Sequence, residues 1–304
     1  MPQTLPEIRK STSDPVLGTL IESLYLEEGL LQRLPIRGID GLTFPYTVEK
    51  ALPGVAFRKI NEAFAESVGI VQRPVETLKP FGGDSDTDIV IAKAMPTERG
   101  RRDRMFLKAM GVKWVQAFFY SNSPASRAGA AYDDIDGFDG VMKRLADAGN
   151  TQVVDMGASS GSDASSVFAI RFGEGWVEGL MQTPAPFINF RNLGEVQTKP
   201  VMRSRIDAAA GLAIYHGRAL AWLKDITVAV PLTVDKLDDM INLVPGRPNA
   251  LFMTKRSRTQ LQKNMRTLGL TFGRSLSEIG DVVETYGEIP IVISDAMIDT
   301  ETAS

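Results

Sequence analysis

The chain has 304 residues, a formal net charge of −3, 43% hydrophobic and 23% charged residues, one histidine and no cysteine. This is an ordinary globular composition, long enough for one large or two ordinary domains. It excludes disulfide frameworks, thiolate zinc sites, cysteine nucleophiles and multi-histidine metal centres, and its acidic balance gives no global drive toward nucleic acid or an anionic membrane.

In chain order, residues 1–13 are polar and rich in Pro, Ser and Thr, which reads as a flexible arm without the basic-then-apolar layout of a signal peptide. No apolar run approaches the roughly 20 residues needed to span a bilayer, so the expectation is a soluble chain kept in a reducing cytoplasm. "DPVLGTLIESLYLEEGLLQRL" follows, with Asp14 expected as N-cap, Pro15 at the first helical position and Leu17, Leu20, Ile21 and Leu24 on one face. Gly38 and Gly41 are expected to end that element. Residues 42–93 hold two strand-like runs around a long excursion with few core-grade clusters. That is an extended β arm, marginal alone in water and in need of something to lie on.

"TERGRRDRMFLKAMGVKWVQAFFYSN", residues 97–122, is the strongest helix. Thr97 is expected to cap it, and Met105, Leu107, Met110, Trp114, Val115 and Phe118 fall broadly on one side at helical spacing. Its first turns carry Arg99, Arg101, Arg102, Arg104 and Lys108, cations that oppose the helix dipole at roughly a few tenths of a kcal/mol each. After a Ser/Gly/Asp-rich loop come "GFDGVMKRL", the strand "TQVVDM", a flexible "GASSGSDASS", two strands around a glycine turn in "SVFAIRFGEGWVEGLM", and a long strand near "VMRSRIDAAAGLAIYH". Helices resume at "LTVDKLDDMINLV", capped by Thr233, and at "TKRSRTQLQKNMRTLG", closed by Gly269, with the apolar strand "ALFM" between them. Finally "YGEIPIVISDAM" reads as a β-branched core strand at residues 289–293, whose partners must lie much earlier in the chain. The pattern is mixed α+β with non-local strand pairing.

Four motifs are candidates for chemistry. "GASSG" fits the nucleophile-elbow pattern with Ser159 as nucleophile and His216 downstream, but a helix must follow the serine and the sequence instead runs through a small polar loop into a strand. His216 has no identifiable acidic orienter. "DDIDGFDG" looks calcium-like, yet placing Asp134 first puts Phe138 at the fifth ligand position and Leu145 where the bidentate glutamate belongs. "GEGWVEG" lies between strands with no helix to receive a phosphate, so it is expected to be a hairpin turn. The cluster Arg99, Arg101, Arg102 and Arg104 reads either as a solvated helix face or as a subunit salt-bridge site, with the arm carboxylates Glu62, Glu66 and Asp84 as candidate partners. No catalytic, cofactor or metal constellation emerges.

Taken together, these segments resemble the major capsid proteins of tailed bacteriophages, the shell subunits with the Hong Kong 97 fold. "ALPGVAFRKINEAF" and "GGDSDTDIVIA" look like the two sides of that family's E-loop, the helix at 97–122 like the spine helix of its peripheral (P) domain, and "GFDGVMKRL" like the turn that follows it. "SVFAIRFGEGWVEGL" and the long strand look like its late strands, and "LTVDKLDDMINLVPGRPNALFMTKRSRTQL" with "YGEIPIVISDAM" like its axial (A) domain. The late-strand block precedes the terminal strand, which matches a branch with permuted connection. The resemblance implies an N-terminal arm and helix at 1–40, an E-loop at 41–92, a P-domain at 93–150 and 196–224, an A-domain at 151–195 and 225–297, and a tail at 298–304. It implies a coat protein that assembles with itself through hexamers and pentamers into an icosahedral head around double-stranded DNA. Portal, scaffold and decoration or cement proteins are the implied partners, with no membrane, no cofactor and no enzymatic activity. The protein would be made in the host cytoplasm and reside in the virion. An encapsulin-like or gene-transfer-agent shell is the alternative, and a serine hydrolase using Ser159 and His216 the remote one.

Overall fold

The computed structural model describes every residue except 1, 13–14, 26–27, 65, 124, 129–135, 150, 159, 184–187, 196–199, 277–281 and 304. Strand β1 (Gln3–Thr4) and helices α1 (Leu5–Ser11), α2 (Pro15–Tyr25) and α3 (Gly29–Arg33) lead into β2 (Pro35–Ile39). The chain then goes out and back through β3 (Thr43–Pro45), β4 (Val48–Ala51), β5 (Ile70–Gln72) and β6 (Val75–Thr77) before β7 (Lys79–Asp88). Helices α4 (Ile89–Ala94), α5 (Pro96–Tyr120), α6 (Ala125–Ala128) and α7 (Val141–Asp147) follow. Next come strands β8 (Val153–Asp155), β9 (Ser165–Ile170), β10 (Val177–Gln182), β11 (Ile188–Glu195), β12 (Val201–Ile214) and β13 (Leu220–Ile226). Helix α8 (Val234–Leu243), β14 (Ala250–Met253), α9 (Lys255–Thr267), β15 (Gly273–Leu276), β16 (Val282–Tyr286) and β17 (Ile289–Ile293) complete the order.

Two sheets share the work. In the first, β12 is flanked by β7 on one edge and by β10 and β11, end to end, on the other, because Ala210 pairs with both Met181 and Lys79. Beyond β10 lie β2 in parallel and then β1. The second is a seven-stranded sheet in the order β15-β16-β17-β14-β9-β13-β8. The expected strand at 289–293 pairs in parallel with the "ALFM" strand, and β9 lies one strand further. Ile289 and Ile291 pack into the core under α8 and α9, while Val292 joins the core under α5.

Helix α5 bridges the sheets. Phe106 in its first half lies against Gly83 of β7, and Trp114 further along lies against Phe81, ring centroids 6.3 Å apart. In its second half Phe119 stacks on Phe168 of β9 at 5.1 Å and approaches Phe252 of β14 at 5.7 Å. Its inner residues Leu107, Trp114, Val115 and Phe118 are buried as the spacing predicts, but Met105 is 60% exposed.

Several expectations are corrected. Helix α5 starts at Pro96 with Met95 as N-cap, so Thr97 lies inside the first turn and caps nothing. Gly38 sits within β2 rather than ending the helix, which stops at Tyr25. "GEGWVEG" is not a hairpin turn: β9 and β10 belong to different sheets, and the turn at Gly173 (φ +135°) and Gly175 (φ +79°) carries the chain from one to the other. For the same reason β10 and β11 pair with β12, not with the strands of 225–297 that the 151–195 grouping joins them to. Asp14 lies outside the described residues.

Candidate assembly surfaces

The arm is a two-part antiparallel ribbon, β3 with β6 and β4 with β5, projecting from the first sheet. Its base is locked. Arg144 of α7 makes a bidentate pair with Glu76 at 2.7 and 2.9 Å, and the Tyr46 hydroxyl donates to Glu76 at 3.2 Å. The Tyr46 ring meets Tyr215 edge-on at 5.0 Å, and burial raises the Tyr46 hydroxyl above its ordinary pKa. Ile39, Tyr46, Leu78, Leu180, Ala209 and Ala213 form a small core there, on the sheet face turned away from α5.

The tip is the reverse. Leu52, Val55, Phe57, Ile60, Phe64 and Val68 are 68–108% exposed. The tip nevertheless has local order: Arg58 stacks 4.9 Å over Phe64, the Gly54 amide donates to Ser67 Oγ at 2.6 Å, and Asn61 turns the chain at φ +70°. Six large apolar side chains held out in water on a shaped ribbon are the composition of a buried contact without its cover.

The arm is shorter than expected. Strand β7 pairs with β12 from Lys79 to Asp88 and α4 packs beside it, so 79–92 belongs to the body. Asp84 is therefore not an arm carboxylate. It lies opposite Arg205, and the pairs Arg205–Asp84 (2.7 Å), Arg203–Asp86 (2.7 Å) and Arg203–Asp84 (3.3 Å) form a ladder on the outer sheet face. The hydrogen bond from Arg205 holds the Asp84 carboxyl below its usual range. Sequence reading missed this ladder, although its signal is present: "DSDTD" and "RSRID" each alternate charge with a period of two.

The four arginines divide. Arg99 donates to Ser204 Oγ (2.9 Å) and Asn192 Oδ1 (2.7 Å), and Ser204 in turn donates to the buried Asp103 at 3.4 Å, tying α5 to β12 and β11. Arg102 reaches the Asp86 carbonyl at 3.4 Å. Arg101 is 67% exposed and, among the described residues, meets only Glu98 one turn back at 3.4 Å, and Arg104 donates to the Gly100 carbonyl at 3.3 Å. Glu62 accepts from the Lys59 amide at 3.3 Å within the tip. Among the described residues, no ion pair joins Glu62 or Glu66 to any of the four arginines.

The hydrolase reading gains nothing. His216 heads a single 3-10 turn (Gly217–Ala219), its Nδ1 accepts from the Arg218 amide at 3.1 Å, and its ring packs on Trp176 at 5.2 Å. Ser159 and Asp134 lie outside the described residues, and β9 rather than a helix follows the Ser159 loop. Phe138 and Leu145 of the calcium-like stretch are buried in the core. Among the described residues no group of three acidic or histidine side chains is placed to hold a metal, and no helix is long and apolar enough to cross a membrane.

A family model described as "Major capsid protein GP7" matches residues 17–304. The chain belongs to this major capsid protein family. It is a capsid shell protein with the Hong Kong 97-like fold. No curated protein sequence matches it. Among solved structures, a chain of bacteriophage Epsilon15 aligns with a TM-score of 0.52 at 15% identity, covering 88% of this chain and 87% of that one. The capsid of an empty gene-transfer-agent particle aligns at 0.44 and 12% identity, covering 64% and 89%. The holo-SrpI encapsulin complex of Synechococcus elongatus aligns at 0.45 and 13% identity, covering 66% and 87%.

Proposed function

We propose that this chain is the coat subunit of a tailed double-stranded DNA bacteriophage head, closing through hexamers and pentamers, with the arm of each subunit lying on its neighbour. The observation that supports this reading is the exposed apolar tip around 52–68, which no described residue of its own chain covers. A contact repeated around symmetry axes gives every tip a place to be buried, and a closed shell leaves none over. Helix α5 then acts as the peripheral-domain spine, the sheet around β12 as that domain's platform, and the seven-stranded sheet as the axial domain. The subunit works by surface complementarity rather than catalysis, and its partners beyond itself are portal, scaffold and decoration proteins and the packaged DNA. It is made in the host cytoplasm and ends in the virion.

The test is removal of the tip. Replacing residues 52–69 with a two-residue turn joins β4 to β5 where Ala51 already pairs with Ile70. A deletion running to residue 80 would also remove buried Leu78 and the start of β7, so the cut stops short of them. The expected subunit folds with an unchanged circular dichroism spectrum and forms no shells by electron microscopy, while the full chain does. Shells of normal size from the shortened chain would overturn the proposal, as would a full chain that stays monomeric with scaffold and partner proteins present.

A further inference from the structure

Residues after β17 turn back across the molecule. Ile298 N–H donates to the Tyr120 hydroxyl at the end of α5 (3.1 Å), and Thr302 N–H to the Arg127 carbonyl of α6 (2.9 Å). Glu301 exchanges two backbone hydrogen bonds with Ala164, at 2.9 and 3.0 Å, and Ala303 N–H donates to the Gly161 carbonyl at 2.9 Å. This short segment thus fastens α5, α6 and the entry to β9 together.

At its centre is a fully buried carboxyl. Glu301 Oε2 accepts from Ser166 at 2.6 Å, and Oε1 lies 3.3 Å from the Tyr120 hydroxyl. The cations nearby already pair with other carboxylates. Arg127 of α6 pairs with Asp225 of β13 at 2.8 Å and stacks over Trp222 at 4.7 Å, and it stands 3.7 Å from Glu301. Lys224 bridges Asp225 (3.0 Å) and Asp155 of β8 (2.8 Å), and on the outer side Arg256 of α9 pairs with Asp299 at 3.4 Å. Asp163, in the loop before β9, accepts from the Val228 amide at 3.3 Å. Arg127, the cation within ion-pair distance of Glu301, is already engaged more closely by Asp225, so a negative charge on Glu301 would be buried and only partly compensated.

We propose that residues 298–303 form a proton-controlled strap, which clamps the ends of α5 and α6 to the seven-stranded sheet while Glu301 carries a proton and loosens when that proton leaves. The neutral carboxyl keeps its hydrogen bonds to Ser166 and Tyr120, whereas the carboxylate gains more by reaching water. Burial raises the Glu301 pKa from the ordinary carboxylate range to about 7, which places the transition in the neutral range.

Amide hydrogen exchange of the 295–303 peptide in the full chain tests this, with times corrected for the intrinsic pH dependence of exchange. Opening that releases a proton becomes about tenfold more frequent between about pH 6 and about pH 9 and then levels off, while the β9 and β13 peptides do not change. Glu301→Gln, which keeps the hydrogen-bonding shape without the titration, holds protection constant over that range. Carboxyl-carbon NMR of the unsubstituted chain gives an independent reading: one glutamate titrates near pH 7. Constant strap protection in the unsubstituted chain, parallel loosening in Glu301→Gln, or all glutamates titrating below about pH 6 would each overturn the proposal.

Discussion

At the scale of single residues, two carboxylates give the molecule opposite responses to pH. Asp84 has its folded pKa lowered by Arg205, so the stability it contributes is present above its unfolded value and is lost as pH falls through the folded one. Glu301 has its folded pKa raised to about 7, so its contribution is full below about 4.5 and is lost as pH rises through about 7. The rise from 4.5 to about 7 corresponds to roughly 3–4 kcal/mol as an upper bound. Urea unfolding should therefore show the unsubstituted chain losing stability between pH 5 and pH 8, and Glu301→Gln losing markedly less. Equal slopes would place the pH dependence elsewhere. The role of Glu301 was not legible in the sequence. Residues 298–304 read as a tail because the partners of Glu301, Tyr120 and Ser166, stand 181 and 135 positions away. The Asp84 ladder, by contrast, was written in period-two charge alternation and was obscured only by assigning its strand to the arm.

At the scale of elements, close backbone approach decides which glycines the fold needs. A Cβ on Gly111 of α5 would lie 2.2 Å from the Leu24 carbonyl oxygen of α2, and one on Gly140 would lie 2.8 Å from the Ala117 carbonyl. Both are contacts with backbone, which cannot swing aside. A Cβ on Gly100, in the same helix as Gly111, would meet nothing within 4 Å. Gly111→Ala should therefore cost about 1–3 kcal/mol through forced separation of α2 and α5. Gly100→Ala should be neutral or stabilising by up to about 1 kcal/mol, since it only improves helix propensity. Thermal unfolding of the two variants checks this, and similar midpoints would show that α2 yields without cost. Helix α5, the helices at Val234–Leu243 and Lys255–Thr267, and the terminal strand were legible from their apolar spacing, and "ALFM" from its unbroken apolar run. The crossing between sheets at Gly173–Trp176 was not, because a glycine turn between two β-rich runs has the same letters whether the strands pair with each other or part company.

At the scale of the whole molecule, the arginines at the start of α5 fall into two groups by their contacts. Arg99 holds its own subunit together through Ser204 and Asn192, and Arg102 leans on the β7 backbone. Among the described residues, Arg101 and Arg104 have only weak contacts within their own helix, and they lie on its outer side with exposed Met105. Positive charge left outward at a helix N-terminus opposes the dipole, and an acidic surface on an adjoining subunit would relieve it. Glu62 and Glu66 remain the candidates, since they ride on the exposed arm, whereas Asp84 is already held by Arg203 and Arg205. Each exposed pair is worth roughly 0.2–1 kcal/mol, too little to fold a subunit, but a shell repeats it in every copy. Replacing Arg101 and Arg104 with glutamate should therefore leave the melting temperature of the isolated subunit nearly unchanged while blocking shell formation in light scattering. Arg99→Ala should do the opposite first, lowering the melting temperature by removing two hydrogen bonds and leaving Asp103 buried without that cation nearby. Adding Glu62→Arg and Glu66→Arg to the Arg101→Glu, Arg104→Glu chain should restore assembly if the arm is the partner. Normal shells from the doubly reversed arginine chain, at low and at high salt, would show that this face of α5 is only solvated.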